Sequence, residues 1–184
     1  MLSPTSDLPI TDEATKATTT TTKTTTPSAK TFDSSINDVI DQINLQLPIL
    51  EAGSSPLPVT IVKPGVFGGK VTPVTEIYLL PESSAFSKTR AVTAHVTGSN
   101  GSVQTPARLL SGIGASLNSL SSEAVEAFHR DALPQLSLLT KTRTTITVGS
   151  FYDLTILVRG STSLTFVYTP VGTTPPSEAE TLGL

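Results

Sequence analysis

A β-rich α+β fold is predicted for this 184-residue chain: six to seven mostly antiparallel strands in a sandwich-like body with two helices, and an extended arm at each end. Three observations predict it. Apolar residues recur at helical spacing in two places only, near 35–47 and 122–133. Elsewhere in the body they alternate with a period of two, interrupted by Gly, Pro and Asn turns. Both ends lack any period and are rich in Thr, Ser and Pro. The chain therefore divides into an arm over 1–31, a body over 32–169 and a tail over 170–184.

The arm comes first. Between positions 15 and 26 every residue is Thr except Lys16, Ala17 and Lys23. Such a run has no apolar face to bury, and ordering it costs roughly 1–2 kcal/mol per residue. Threonine is β-branched, however, so the run lies down as a strand wherever a sheet edge is offered. Two readings follow: a flexible leader, or an arm that becomes ordered against another subunit through Thr18, Thr19, Thr20, Thr21, Thr22, Thr24, Thr25 and Thr26. A secretory leader is not expected. It needs a run of roughly 7–15 apolar residues after a positive start, whereas here Asp7, Asp12 and Glu13 precede any Lys.

The first helix is the firmest element. Ile36, Val39, Ile40, Ile43 and Leu47 form one stripe, Ser35 with Asp38 fits a capping box, and Pro48 is expected to stop the helix. The period then shortens to two. A short strand is expected over 59–62 between Pro58 and Pro64. Another is expected over 70–80, with Pro73 confining its first half to an edge or bulge. In 90–97, Val92, Ala94 and Val96 face one way and Thr93, His95 and Thr97 the other. Asn100-Gly101 signals a hairpin turn that returns through Ser102, Val103 and Gln104. The second helix is capped by Ser121 or Ser122, carries Val125, Phe128 and Ala132 inward, and is expected to end at Pro134. Leu136, Leu138 and Leu139 continue it as a short extended piece. A strand over 144–148 precedes the clearest hairpin, in which Tyr152, Leu154, Ile156 and Val158 share a face with Leu164, Phe166 and Tyr168 across a Gly160-Ser161 turn. The tail has no period and reads as a second extended arm.

Composition narrows the chemistry. There are 31 Thr and 22 Ser, more than a quarter of the chain. Charged residues are 15%, against roughly 25% in an average domain. The absence of Cys excludes disulfides, thiolate metal sites and Cys nucleophiles. Two His, at 95 and 129, are too few for most His-based metal centres. The 12 Lys+Arg against 15 Asp+Glu leave a net charge of −3, which argues against a grip on nucleic acid. No apolar run approaches the roughly 18–20 residues of a membrane span. Two glycine patterns are weak. In Gly65-Val66-Phe67-Gly68-Gly69-Lys70, Pro64 stands where a phosphate loop needs Gly and Val71 where it needs Ser or Thr, so a flexible β-connection is the better reading. Gly112-Ile113-Gly114 lacks the third Gly of a dinucleotide site. Asn100-Gly101-Ser102 fits a glycosylation acceptor, and fits a hairpin turn equally well.

His95 and His129 read as surface or solvated residues with no catalytic partner in sequence. The carboxylates Asp33, Asp38, Asp41, Glu51, Glu76, Glu82, Glu123, Glu126, Asp131 and Asp153 are scattered. No catalytic, cofactor-binding or metal-binding set is therefore expected, and no cofactor, small-molecule substrate or membrane partner. The expectation is a non-enzymatic structural protein of a large symmetric assembly of the virus or phage kind: a capsid, decoration or tail component located in the virion. Its partners would be copies of itself and other assembly proteins, and terminal arms would clasp neighbouring subunits. Two alternatives remain open. One is an adhesion module on a Thr-rich stalk, secreted or at the cell surface. The other is a hydrolase whose distant carboxylates converge in a pocket joining His95 or His129.

Overall fold

The computed structural model describes residues 30–83, 87–98 and 103–184. The threonines of segment 18–26 and the Asn100-Gly101 turn lie outside the described residues.

Helix α1 (Ile36–Leu50) forms where the stripe predicts. Ser35 caps it: its hydroxyl accepts from the Asp38 amide at 3.2 Å, and the Asp38 carboxylate accepts from the Ser35 amide at 3.3 Å. Ile36, Val39, Ile40, Ile43 and Leu47 are at most 1% exposed, and burying each contributes about 1.5–3 kcal/mol. The helix overruns its expected stop. Pro48 sits in the last turn, where the donor it lacks would have bonded only the Asn44 carbonyl. The Glu51 amide closes the helix on the Leu47 carbonyl at 2.9 Å.

Seven strands follow: β1 (Ile61–Lys63), β2 (Val66–Thr72), β3 (Thr75–Pro81), β4 (Thr89–Thr97), β5 (Arg143–Val148), β6 (Tyr152–Arg159) and β7 (Ser163–Thr169). All pair antiparallel in one sheet of order β1-β2-β3-β4-β7-β6-β5. The class is α+β and β-rich, as predicted. The layer packed across the core is helical rather than a second sheet. Ile77, Leu79, Val92, Ala94, Leu154, Ile156, Phe166 and Tyr168 join the α1 stripe in one cluster, because alternate residues of a strand face the same side.

The hairpin of β6 and β7 brings the expected faces together, with Leu154 opposite Tyr168 and Ile156 opposite Phe166. Its turn is one residue longer than Gly160-Ser161, because Arg159 pairs with Ser163. The expected strand over 70–80 is two strands instead. Thr72 pairs with Thr75 across a turn at Pro73 and Val74, since a residue that cannot donate to a ladder is better placed in the turn than in the strand. The glycines at 68 and 69 are not a flexible connection but part of β2, opposite Tyr78 and Ile77. No return strand follows β4 among the described residues. Its two neighbours are β3 and β7, so no edge is left for Val103 and Gln104.

Helix α2 (Ala107–Ser116) is not foreseen in the sequence. Gly112 and Gly114 belong to it because a β-carbon at Gly112 would overlap the Leu50 side chain, and one at Gly114 the Tyr152 ring. The Tyr168 hydroxyl donates to the Leu110 carbonyl at 2.8 Å, which ties α2 to the sheet. Helix α3 (Ser122–Ala127) starts at Ser121 and does not end at Pro134. A π-helical turn over Phe128–Ala132 widens the spiral, and the Leu133 amide reaches the Phe128 carbonyl. Pro134 then lies in the first turn of α4 (Leu133–Leu136), where no amide donor is needed. Leu136 is thus helical and buried, whereas Leu138 is 74% exposed.

The carboxyl end departs most from expectation. Residues 170–184 fold back as a strap over the second face of the sheet instead of extending away. They include a short helix, α5 (Ser177–Glu180), and bury Ala179 and Leu182 against Val66, Tyr78, Leu80, Ala91 and Val167. The tail's few apolar residues suffice because the sheet supplies a ready apolar floor.

Candidate functional site

Strand alternation puts Thr93 and His95 of β4 on the face opposite α1. Cross-strand pairing extends that row from Glu76 of β3 through His95 to Thr165 of β7. His95 is therefore no surface residue: it is 3% exposed. Its Nδ1 lies 3.0 Å from the Thr165 hydroxyl. Burial lowers its pKa below 6.5, the nearby Glu76 carboxylate opposes that, and Arg159 reinforces it. Tyr78 donates to Glu76 at 2.8 Å. Its burial, with this hydrogen bond and the Glu76 charge, pushes its pKa up to about 12.

The strap seals this row. Gly183 lies against the imidazole so closely that a β-carbon there would overlap the ring. Thr93 donates to the Ala179 carbonyl at 2.8 Å, and Arg159 to the Glu180 carbonyl at 2.8 Å. Arg143 pairs with Glu180 at 2.6 Å and Arg90 with Glu178 at 3.5 Å. Behind the strap, the Gly172 amide donates to Asp153 at 2.8 Å. Thr165, His95 and Glu76 are cross-strand neighbours, but the Glu76 carboxylate is engaged by Tyr78 at 2.8 Å and Lys70 at 3.7 Å. The imidazole contact that is made is to Thr165. Thr165 is itself fully buried, between the sheet and the strap, and no substrate reaches it in this conformation.

The other sequence candidates do not converge. His129 is exposed beside Phe128. Asp33 pairs with Lys88 at 3.0 Å, Asp38 caps α1, and Glu123 accepts from the Ser121 hydroxyl at 2.6 Å. Asp131 binds Arg130 at 2.8 Å and the Gly149 amide at 2.9 Å. A cleft of about 480 Å³, lined in part by Thr31, Ser34, Asn118, Ser121, Ser150 and Phe151, holds neither His. Among the described residues no group of three or more His, Asp or Glu could hold a metal ion, and no helix is long and apolar enough to cross a membrane.

The sheet edges differ in character. β1 has all three residues exposed. Around it Val59 and Ile61 are each 63% exposed and Val62 49%. At the other edge β5 shows Arg143, Thr145 and Thr147 to solvent, next to the exposed Leu138. The sequence reading missed Arg90, Arg143 and Arg159 as a set, together with their acidic partners. One signal was present: Pro176-Ser177-Glu178 is a helix start, with proline at the entry and an acid in the first turn. No protein-family model matches this chain, and neither a curated protein nor a solved structure is significantly similar to it.

Proposed function

We propose that this chain is a structural subunit of a large symmetric assembly, of the kind that builds a virus or phage particle as a capsid, decoration or tail component. The observation that carries the reading is the β1 edge, where Val59, Ile61 and Val62 are exposed. An uncovered edge of β-branched apolar residues is a template for strand addition. Lys63 and the register shift between Ile61 and Lys63 blunt one end of it and confine pairing to the stretch before Lys63. Pro58 and Pro64 bracket the edge, so an incoming strand pairs over a few residues only. The threonines of 18–26 supply a run that is β-branched and contains neither Pro nor Gly, which suits that role in a neighbouring copy. Each such contact is weak, and a closed array multiplies it. Scarce charge fits surfaces that pack, because interface cores are depleted of charged residues.

Analytical ultracentrifugation and light scattering test this on the full chain, an Ile61→Lys variant and a chain lacking residues 1–29. Ile61 is largely exposed, so the lysine leaves stability within about 0.5 kcal/mol. The expected outcome is cooperative melting in all three, with large particles formed by the full chain alone. Particle formation unimpaired in both variants would overturn strand addition at β1, and a full chain that stays monomeric at every concentration would overturn the assembly reading itself.

A further inference from the structure

The strap is built as a detachable part. Its apolar grip is two small contacts, Ala179 and Leu182. Beyond it lie the contact of Gly183 with the His95 ring, two ion pairs at Arg90 and Arg143, and two hydrogen bonds to the carbonyls of Ala179 and Glu180, the first of them buried. Partly exposed ion pairs of this kind contribute little and weaken with salt. The seat is also imperfectly filled. Arg90 Nε, Arg159 Nε and Asp153 Oδ1, all on residues that hold the strap, are buried with no hydrogen-bond partner among the described residues. Each such orphan costs free energy, so the closed strap lies at the low end of local stability. Meanwhile the floor beneath it is fully formed and apolar along one side: Val66, Leu80, Ala91 and Val167 are not exposed at all, beside the buried Thr93, His95 and Thr165.

A floor like this cannot stay bare in water, and its charge pattern defines what fits. Arg90 and Arg143 meet acids two residues apart, Glu178 and Glu180, flanking Ala179, while Arg159 donates to the Glu180 backbone carbonyl. The segment that answers to that pattern is present in every copy of the chain. We propose that residues 174–184 exchange between subunits, the strap of one copy seating on the Arg90–Arg143–Arg159 floor of a second copy. Exchange replaces each contact by an identical one, so its cost is confined to the hinge and to the entropy of association. The hinge is suited to it. The turn at 170–173 is fixed by Asp153 and Thr169. Thr174, Pro175 and Pro176 then lead away, and consecutive prolines hold the chain extended instead of folding it tightly back. This inference rests on the assembly reading, because exchange matters only where copies adjoin. It makes the carboxyl segment a second clasp beside the proposed threonine arm.

The chain contains no cysteine, so introduced thiols react without background. Arg90→Cys chains carrying a size tag are mixed with untagged Glu178→Cys chains and treated with a short bismaleimide. Tagged Arg90→Cys mixed with Glu126→Cys serves as control, since Glu126 lies on α3, away from the strap. Arg90 and Glu178 are partly exposed, and their loss removes one peripheral ion pair. Exchange predicts a tagged–untagged covalent dimer several-fold above the control, reached faster in high salt. If the doubly substituted single chain crosslinks internally while mixed chains give only the control level, the strap stays at home and the inference falls. Sedimentation of the same mixtures separates the two ideas. Particles without mixed dimers would remove exchange and leave the assembly reading standing, whereas mixed dimers without particles would do the reverse.

Discussion

His95 illustrates how far a single residue was legible. Alternation in β4 placed it on the side opposite Val92 and Ala94, which is correct. Its burial could not be read there, because the cover comes from Gly183, far along the chain, whose tail has too few apolar residues to announce a packed segment. The consequence is measurable through acid. Burial and Arg159 of β6 lower the imidazole pKa, against the pull of Glu76 from β3, so the unfolded chain takes up a proton before the folded protein does. Stability is therefore complete above about pH 6.5 and declines as the pH falls through the lower folded value. His95→Asn retains a hydrogen-bonding partner for Thr165 and removes the titration. Urea melts at pH 7.5 and 5 are expected to give a smaller loss of stability on acidification in the variant than in the parent. Equal losses would show that another group governs the acid response.

Among the elements, those with an unbroken period were legible and those shaped by close packing were not. α1 carries five inward residues and a capping box, and both formed as read. Ser35→Ala removes the side-chain acceptor for the Asp38 amide and the hydroxyl partner of its carboxylate. A loss of about 0.5–2 kcal/mol in urea unfolding is expected; no change would mean that the cap is redundant with packing. α2 escaped because Gly112, Gly114, Ser111 and Ser116 are poor helix formers. They are there for proximity: Gly112 admits Leu50, Gly114 admits Tyr152, and the Ser116 hydroxyl accepts from Gln46 at 2.8 Å. Tertiary contact overrode propensity. At Pro134 a widened turn let the helical path continue past a residue that normally ends one, and no pattern of residue types signals such a turn.

At the scale of the molecule, antiparallel pairing was legible but strand order was not. The expected number of strands was met only because the strand over 70–80 is two, while no return strand through Val103 is found among the described residues. Local turns specify β1 to β4 as one meander and β5 to β7 as another. What joins them is the seam between β4 and β7, with Val92 opposite Tyr168, Ala94 opposite Phe166 and Val96 opposite Leu164. The Asn100-Gly101 signal argued instead for a local partner to β4. The seam lies at the centre of the sheet and is covered on both faces, whereas β1 is exposed and the strap is lightly held. Native-state hydrogen exchange should consequently be slowest at the amides of β4 and β7 and fastest at β1 and 177–184. Protection of the strap equal to that of the seam would contradict the picture of a detachable cover. The interaction surfaces were the least legible feature, since an edge or a floor exists only once distant strands have met.

The central seam also sets a schedule for biosynthesis. A polypeptide leaving the ribosome completes its first meander while one flank of Thr89–Thr97 still has no mate, because that mate, Ser163–Thr169, is made only after residues 98–162. Throughout that interval the nascent chain displays a long flank of unpaired N–H and C=O groups at what will become the middle of the finished sheet. Helix α1, made before β1, already covers part of the apolar side of this half-built sheet, and α2 and α3 add to that cover as they emerge in between. The most vulnerable moment for this molecule is thus not its mature life but the seconds before its last strand arrives.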